Sequence, residues 1–210
     1  MIDYLVWDWN GTLLDDTAAS LGAFNAELVR AHLKPITLDF YREHFAFPVK
    51  PFYTLCGIDV TRDWDGLARA YHEAYAREKK SLNIEAKAAL ARVRALGIRQ
   101  GILSVLRQDL LERDVAREGI GDFFLFVCGT TTLDGESKVA RAQALRERLG
   151  ATAEVVMIGD ALHDAVVAEA MGAKCVLCAQ GGHSAARLRA VAPTGETLLE
   201  SLDLALRLYG

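Results

Sequence analysis

Tyr4-Leu5-Val6-Trp7-Asp8-Trp9-Asn10-Gly11-Thr12-Leu13-Leu14-Asp15-Asp16 is the stretch whose reading decides the fold. Its first four residues are apolar and β-prone, the length of a short buried strand. The run stops on a carboxylate, Asp8. Asn10-Gly11 then signals a turn, because Gly accepts positive φ without a steric penalty and Asn tolerates it. A buried strand that carries an Asp at its C-terminal end and then turns sets that Asp at the mouth of a sheet. In open α/β sheets, ligands bind outside the carboxyl ends of the strands. Asp8 is therefore a candidate functional residue, with turn capping as the plain structural alternative.

Working outward, short apolar runs alternate with helical periods. Strands are expected over 98–104, 123–128, 154–159 and 174–179. Helices are expected over 84–96, 107–118, 137–149, 163–171, 184–191 and 197–209. Glycines at 97, 150 and 172 close three of these helices. Such alternation implies an α/β fold with a parallel sheet and helices on both faces. The first crossover is out of proportion. About 75 to 90 residues separate the first two strands, where a crossover needs about a dozen. Residues 16–83 should therefore form an all-helical insertion over the C-terminal end of strand one, and residues 1–15 with 84–210 the core. Within the insertion, helices are expected over 16–33, capped by Asp16 or Thr17, over 37–45, capped by Thr37, and over 61–80. Residues 51–58 read as an apolar connector and Ser81-Leu82-Asn83 as a hinge.

Composition narrows the function. The 210 residues are 51% hydrophobic and 25% charged, which suits a folded globular chain and argues against disorder. A net charge of -4 without a basic stripe argues against nucleic-acid binding. No apolar run approaches the roughly 18 residues that span a bilayer. The opening MIDYLVWD has no basic stretch, so no signal peptide is expected. Cys56, Cys128, Cys175 and Cys178 are scattered through apolar runs, which fits reduced thiols in a cytoplasmic protein. Cys175 and Cys178 have CxxC spacing but fall in an expected strand, and one pair supplies too few ligands for a structural zinc.

Polar groups fall at comparable places along the alternation. Asp8 ends strand one and Ser104 ends strand two. Lys138 starts the helix after strand three. Asp160 ends strand four, and Asp164 lies one helical turn on. Parallel neighbouring strands would open all of them onto one rim. Two carboxylates in contact there would repel by about 4 kcal/mol at an effective dielectric near 20. A divalent cation removes that penalty, and all-oxygen ligands favour Mg²⁺ over Zn²⁺. A carboxylate beside Mg²⁺ can attack phosphorus and form an aspartyl-phosphate. Lys138 and the Ser104 hydroxyl would hold the transferring phosphoryl oxygens. Arg107, just after Ser104, is either a contact for a substrate carboxylate or a surface helix residue.

Asp8-Trp9-Asn10-Gly11-Thr12, Ser104, Lys138 and Gly159-Asp160-Ala161-Leu162-His163-Asp164 together resemble the four ordered motifs of the haloacid dehalogenase superfamily. The insertion resembles its helical cap of the first type, and the layout is similar to the phosphoglycolate phosphatase-like branch. The resemblance spans the whole chain. It implies a Rossmann-like sheet of strand order 3-2-1-4-5 and a Mg²⁺-dependent phosphatase acting on a small phosphorylated metabolite. It makes Asp8 the nucleophile and a metal ligand, with the Asn10 backbone carbonyl and Asp160 as further ligands. Asp164 would support the metal, and Thr12 would steady the loop beside the substrate. A monomer or homodimer is expected, without membrane or nucleic-acid partners.

Position 10 departs from that pattern. Phosphatases of the superfamily carry a second Asp there, which protonates the leaving group and then activates water. The Asn10 amide exchanges no proton at neutral pH. General acid–base help is worth about 10²- to 10⁴-fold. Four accounts stand open: a slow phosphatase, a phosphonate-cleaving enzyme using a cap lysine such as Lys34 or Lys50, a non-catalytic phosphometabolite binder, and a substitution introduced at this position. His44, Phe45, Phe47 and Lys50 lie where the superfamily selects substrate, though an aromatic cluster there is also ordinary cap core. His163 reads as a helix-start residue near the site, and the Trp64–Tyr71–Tyr75 stripe as helix packing.

Overall fold

The computed structural model describes residues 1–130 and 138–210. Its central sheet has six strands in the order β5-β4-β1-β6-β7-β8. These are β1 (Tyr4–Trp7), β4 (Arg99–Arg107), β5 (Phe126–Thr130), β6 (Val155–Gly159), β7 (Lys174–Cys178) and β8 (Thr194–Gly195). All the pairings are parallel. The order matches the expected 3-2-1-4-5, with the two-residue β8 added at one edge. No periodicity can announce so short a strand.

β1 sits in the middle because it is apolar on both faces. Leu5 and Trp7 enter one hydrophobic cluster with Val156 and Ile158 of β6. Tyr4 and Val6 enter the other, with Val155 and Met157. Helices α5 (Ala86–Ala95), α6 (Gln108–Arg117) and α10 (Leu198–Tyr209) cover the first face through Leu90, Leu111 and Leu202. Helices α7 (Lys138–Leu149) and α8 (Leu162–Ala170) cover the second through Leu145 and Val167. A short helix, α9 (Ala185–Arg189), precedes β8. The expected start of α7 at Ser137 lies outside the described residues. Beneath β1 the Trp7 indole donates to Gln100 Oε1, and Gln100 Nε2 donates to the Leu90 carbonyl, both at 3.0 Å, so this polar pair is satisfied.

Between β1 and β4 the chain forms α1 (Thr17–Arg30), α2 (Leu38–His44), α3 (Lys50–Leu55) and α4 (Trp64–Arg77). These helices have their own core of Phe24, Leu28, Tyr41, Phe52, Tyr53 and Ile58. Two short strands, β2 (Leu14–Asp15) and β3 (Ser81–Leu82), pair antiparallel where the chain leaves and re-enters the sheet domain. The expected hinge at 81–83 is thus a paired strand followed by Asn83, whose side chain donates to the Thr12 carbonyl and to Gln180 Oε1, each at 3.1 Å.

Several boundaries move for local reasons. Residues 51–58 are not a connector: α3 begins at Lys50, and Pro51 in its first turn carries no N–H for the helix to lose. Helix α4 starts at Trp64 rather than 61, because Asp63 caps it by accepting from the Gly66 N–H at 2.8 Å. Thr37 caps α2 as expected, accepting from Phe40 N. Residues 121–123 form a 3-10 turn, so β5 begins only at Phe126. β4 runs past Ser104 to Arg107, through a register irregularity after Leu103. Ser104 therefore lies inside its strand, not at its end. Among the described residues no helix is long and apolar enough to cross a membrane.

Candidate active site

Asp8 follows β1 directly, and its N–H continues the ladder to the Ile158 carbonyl at 2.8 Å. Asp160 follows β6, the strand paired with β1. Asp164 sits in the first turn of α8. Oxygen atoms of these three carboxylates all lie within 4.8 Å of one another. The sequence-predicted acids are thus brought together, and each is buried.

Lys138, the first residue of α7, places its ammonium among them. It donates to Asp8 Oδ1 and, at 2.6 Å, to Asp164 Oδ1. The other Asp164 oxygen accepts from the Asp160 and Ala161 N–H groups at 3.1 and 3.0 Å, which fixes the turn into α8. Asp160 Oδ2 accepts from the Gly182 N–H at 2.6 Å. Thr12 donates to Asp160 Oδ1 at 3.4 Å, so its hydroxyl braces an acid. Two glycines make room for the Asp160 carboxylate. A Cβ on Gly11, where φ is +75°, would come within 2.2 Å of Oδ2, and one on Gly181 within 2.0 Å.

Electrostatics follow from this crowding. Burial, then the Asp164 charge, push Asp8 up to about 7 against the opposing pull of Lys138. Burial and the charges of Asp8 and Asp164 hold Asp160 well above the ordinary carboxylate range. Burial alone would lower Lys138, but Asp164 and Asp8 outweigh it and raise its affinity for the proton. Three buried acids beside one lysine cannot all stay ionised without a further cation, which is why Asp8 and Asp160 hold their protons so firmly, and their donor atoms are all oxygen. A hard divalent cation fits that donor set.

Ser104 is fully buried. Its hydroxyl accepts from the Leu106 N–H at 3.0 Å and reaches Asn10 Oδ1 at 3.5 Å, and its carbonyl accepts from Arg141 at 2.7 Å. Arg107 ends β4 and is ion-paired with Asp109 at 2.5 Å, with its side chain 43% exposed. Lys50 lies over the Trp64 ring at 4.9 Å, and Lys34 is exposed. The Phe47 and His163 rings meet across cap and core at 5.4 Å.

Other residues at the rim take roles that sequence reasoning did not give them. Asp16 occupies the N-cap position of α1 but makes no capping bond. Its carboxylate turns back to accept from Gly11 N and Asn10 Nδ2, both at 2.7 Å, and from the Tyr75 hydroxyl at 2.5 Å. Arg42 of α2 donates to the Gly181 and Gln180 carbonyls at 3.0 Å, clasping the cap onto the loop that holds Asp160. His183 Nδ1 accepts from the Leu162 N–H at 3.1 Å, and the ring is almost fully buried. The doublet Gly181-Gly182 just beyond a strand was the readable signal for that loop. Nothing in the sequence spacing points to Arg42, Tyr75 or His183.

With this geometry in view, the family model for haloacid dehalogenase-like hydrolases matches residues 5–178. No curated protein matches the chain significantly. Similar solved structures include a haloacid dehalogenase-like family hydrolase from Streptococcus pneumoniae, 18% identical, TM-score 0.80, covering 97% of this chain and 98% of that one. A protein described as a predicted phosphoglycolate phosphatase from Haemophilus somnus is 15% identical, TM-score 0.74, with the same coverage of each chain. Protein Tyrosine Kinase A of Mycobacterium tuberculosis is 23% identical, TM-score 0.79, covering 99% of this chain and 98% of that one. At these identities the likeness is one of fold.

Proposed function

The chain belongs to the haloacid dehalogenase-like hydrolase family, and on that premise we propose that it is a phosphatase for a small phosphomonoester such as phosphoglycolate. The observation that carries this reading is the convergence of Asp8, Asp160, Asp164 and Lys138 in one buried cluster. The ion is proposed to be Mg²⁺, held by Asp8, the Asn10 carbonyl and Asp160 with Asp164 in support. When bound, it neutralises the carboxylates and polarises the phosphoryl group.

Asp8 attacks phosphorus, the bond to the leaving oxygen breaks, and water then hydrolyses the aspartyl-phosphate at phosphorus to return Asp8. Lys138 holds charge that develops on the phosphoryl oxygens. Its two carboxylate partners keep it protonated and aimed. Ser104 and Thr12 are the proposed hydroxyl contacts for the phosphoryl group, and Arg107 at the end of β4 is the proposed contact for a charged leaving group. The cap of residues 16–83 covers the core of 1–15 and 84–210 and selects substrate. The protein is proposed to act in the cytoplasm as a monomer or homodimer.

Asn10 withholds a proton from the leaving group, so activity should concentrate on leaving groups that need none. Hydrolysis of p-nitrophenyl phosphate with and without Mg²⁺ tests this. The expected result is Mg²⁺-dependent turnover that Asp8→Asn abolishes. Equal turnover in Asp8→Asn overturns the mechanism. Thermal stabilisation by phosphate and Mg²⁺ without any turnover replaces the enzyme with a binder.

A further inference from the structure

Asn10 is the departure from the phosphatase pattern, yet its side chain is fully engaged. Nδ2 donates to Asp16 Oδ2 at 2.7 Å and to the Tyr75 hydroxyl at 3.0 Å. The Tyr75 hydroxyl donates in turn to the same Asp16 oxygen at 2.5 Å. Asp16 Oδ1 accepts from the Gly11 N–H, which the Leu14 carbonyl shares at 2.9 Å. Tyr75 belongs to α4 of the cap, Asn10 to the loop behind Asp8, and Asp16 to the crossing between them. Asp16 is 3% exposed, so water cannot stand in for a lost partner.

We propose that Tyr75, Asp16 and Asn10 form a latch by which the cap fixes the nucleophile loop, and that the amide at position 10 is fitted to Asp16. The argument turns on one peptide unit. The Gly11 N–H and the Asn10 carbonyl belong to the same planar trans peptide and point in opposite directions. Gripping the N–H with Asp16 therefore aims the carbonyl that the phosphatase reading, on which this inference rests, gives to the metal. A carboxylate at position 10 would set acceptor against acceptor, with the Tyr75 hydroxyl as the sole donor between them. An amide supplies the missing donor. Tyr75 is thus a positioning residue, and Asn10 is the fitted half of an amide–carboxylate pair.

The experiment compares wild type, Tyr75→Phe, Asn10→Asp and the double variant Asn10→Asp/Asp16→Asn. The Phe ring keeps the stacking on Tyr71 and the place under Lys80, and loses only the hydroxyl. Hydrogen exchange over residues 9–16 is read in metal-free protein, and Mg²⁺ half-saturation is read with p-nitrophenyl phosphate. Tyr75→Phe should exchange at Gly11 about tenfold faster, on the scale of one hydrogen bond, and should need about as much more Mg²⁺. Asn10→Asp should exchange faster still, and the double variant should return toward wild type because the pair is restored in reverse. Wild-type exchange in Tyr75→Phe overturns the latch. So does a double variant as unprotected as Asn10→Asp. Absence of turnover in every protein, wild type included, removes the phosphatase reading, and the exchange series then decides the latch alone.

Discussion

At the sheet rim, Asp8, Asp160, Asp164 and Lys138 are buried with their charges facing one another. In the cap, Phe24, Phe52 and Tyr53 face one another, with ring centroids 4.8 Å apart for both Phe24 pairs. The rim is held by charge and the cap by apolar contact. A buried charge tolerates no missing partner, whereas a hydrophobic cluster accepts many shapes of about the right size. The rim therefore needs fixed residue types at fixed places, and the cap does not.

The sharpest way to break this contrast is to remove the cation from the rim. Lys138→Met leaves Asp8 and Asp164 facing each other without the cation between them. Losing one side of such a buried pair typically destabilises by about 3–5 kcal/mol. Urea unfolding in the presence of chelator should show a loss of that size, and added Mg²⁺ should stabilise the variant more than wild type. A loss below about 1 kcal/mol would mean that the rim is not held by charge.

The same contrast explains what the sequence could reveal. Asp8, Lys138, Asp160 and Asp164 were legible because each follows a strand or opens a helix, and strand ends can be located from apolar runs. The order of the five longer strands came from the resemblance of the motifs, because apolar runs locate strands without ordering them. Asp16 was misread because an Asp before a helix is ordinarily a cap, and only the folded loop shows its carboxylate turned toward Gly11. Tyr75 packs on Tyr71 as expected of the stripe, but its hydroxyl's role was missed, because a hydroxyl on an apolar stripe gives no sign of its partner. Helix α3 was missed because two prolines flank and enter it. Ser104 was placed at a strand end because the irregularity in β4 leaves no trace in periodicity.

His183 tests the seam between the two regions by pH. Burial, then the Arg187 guanidinium, lower it to about 4. In the unfolded chain it takes its proton near 6.5. Between those values the unfolded chain binds more protons, so this residue's contribution to stability is complete above about 6.5 and lost as pH falls toward 4. The gap corresponds to about 3 kcal/mol. Asp8 pulls the other way, since a carboxyl raised to about 7 favours the folded state as pH falls toward 4. The difference between wild type and His183→Gln isolates the histidine. Wild type should lose stability relative to the variant from pH 7 to 4, and parallel curves would place the ring in contact with water.

The smallest effect separates two jobs that the seam performs. Arg42 reaches from α2 to the Gly181 and Gln180 carbonyls, while Gly182 in the same loop holds Asp160. Lysine keeps the charge at position 42 but cannot reproduce the two-pronged guanidinium. Arg42→Lys should therefore cost about 1 kcal/mol of stability, the net worth of one hydrogen bond. Its kinetic signature is the more telling measurement. A clasp that only seats the cap should raise KM a few-fold and leave kcat near wild type, because Asp160 keeps its Gly182 partner. A clasp that also tensions the loop should lower kcat and weaken Mg²⁺ binding together. The first outcome keeps rim and cap as separate mechanical units joined at a seam; the second makes Arg42 part of the rim.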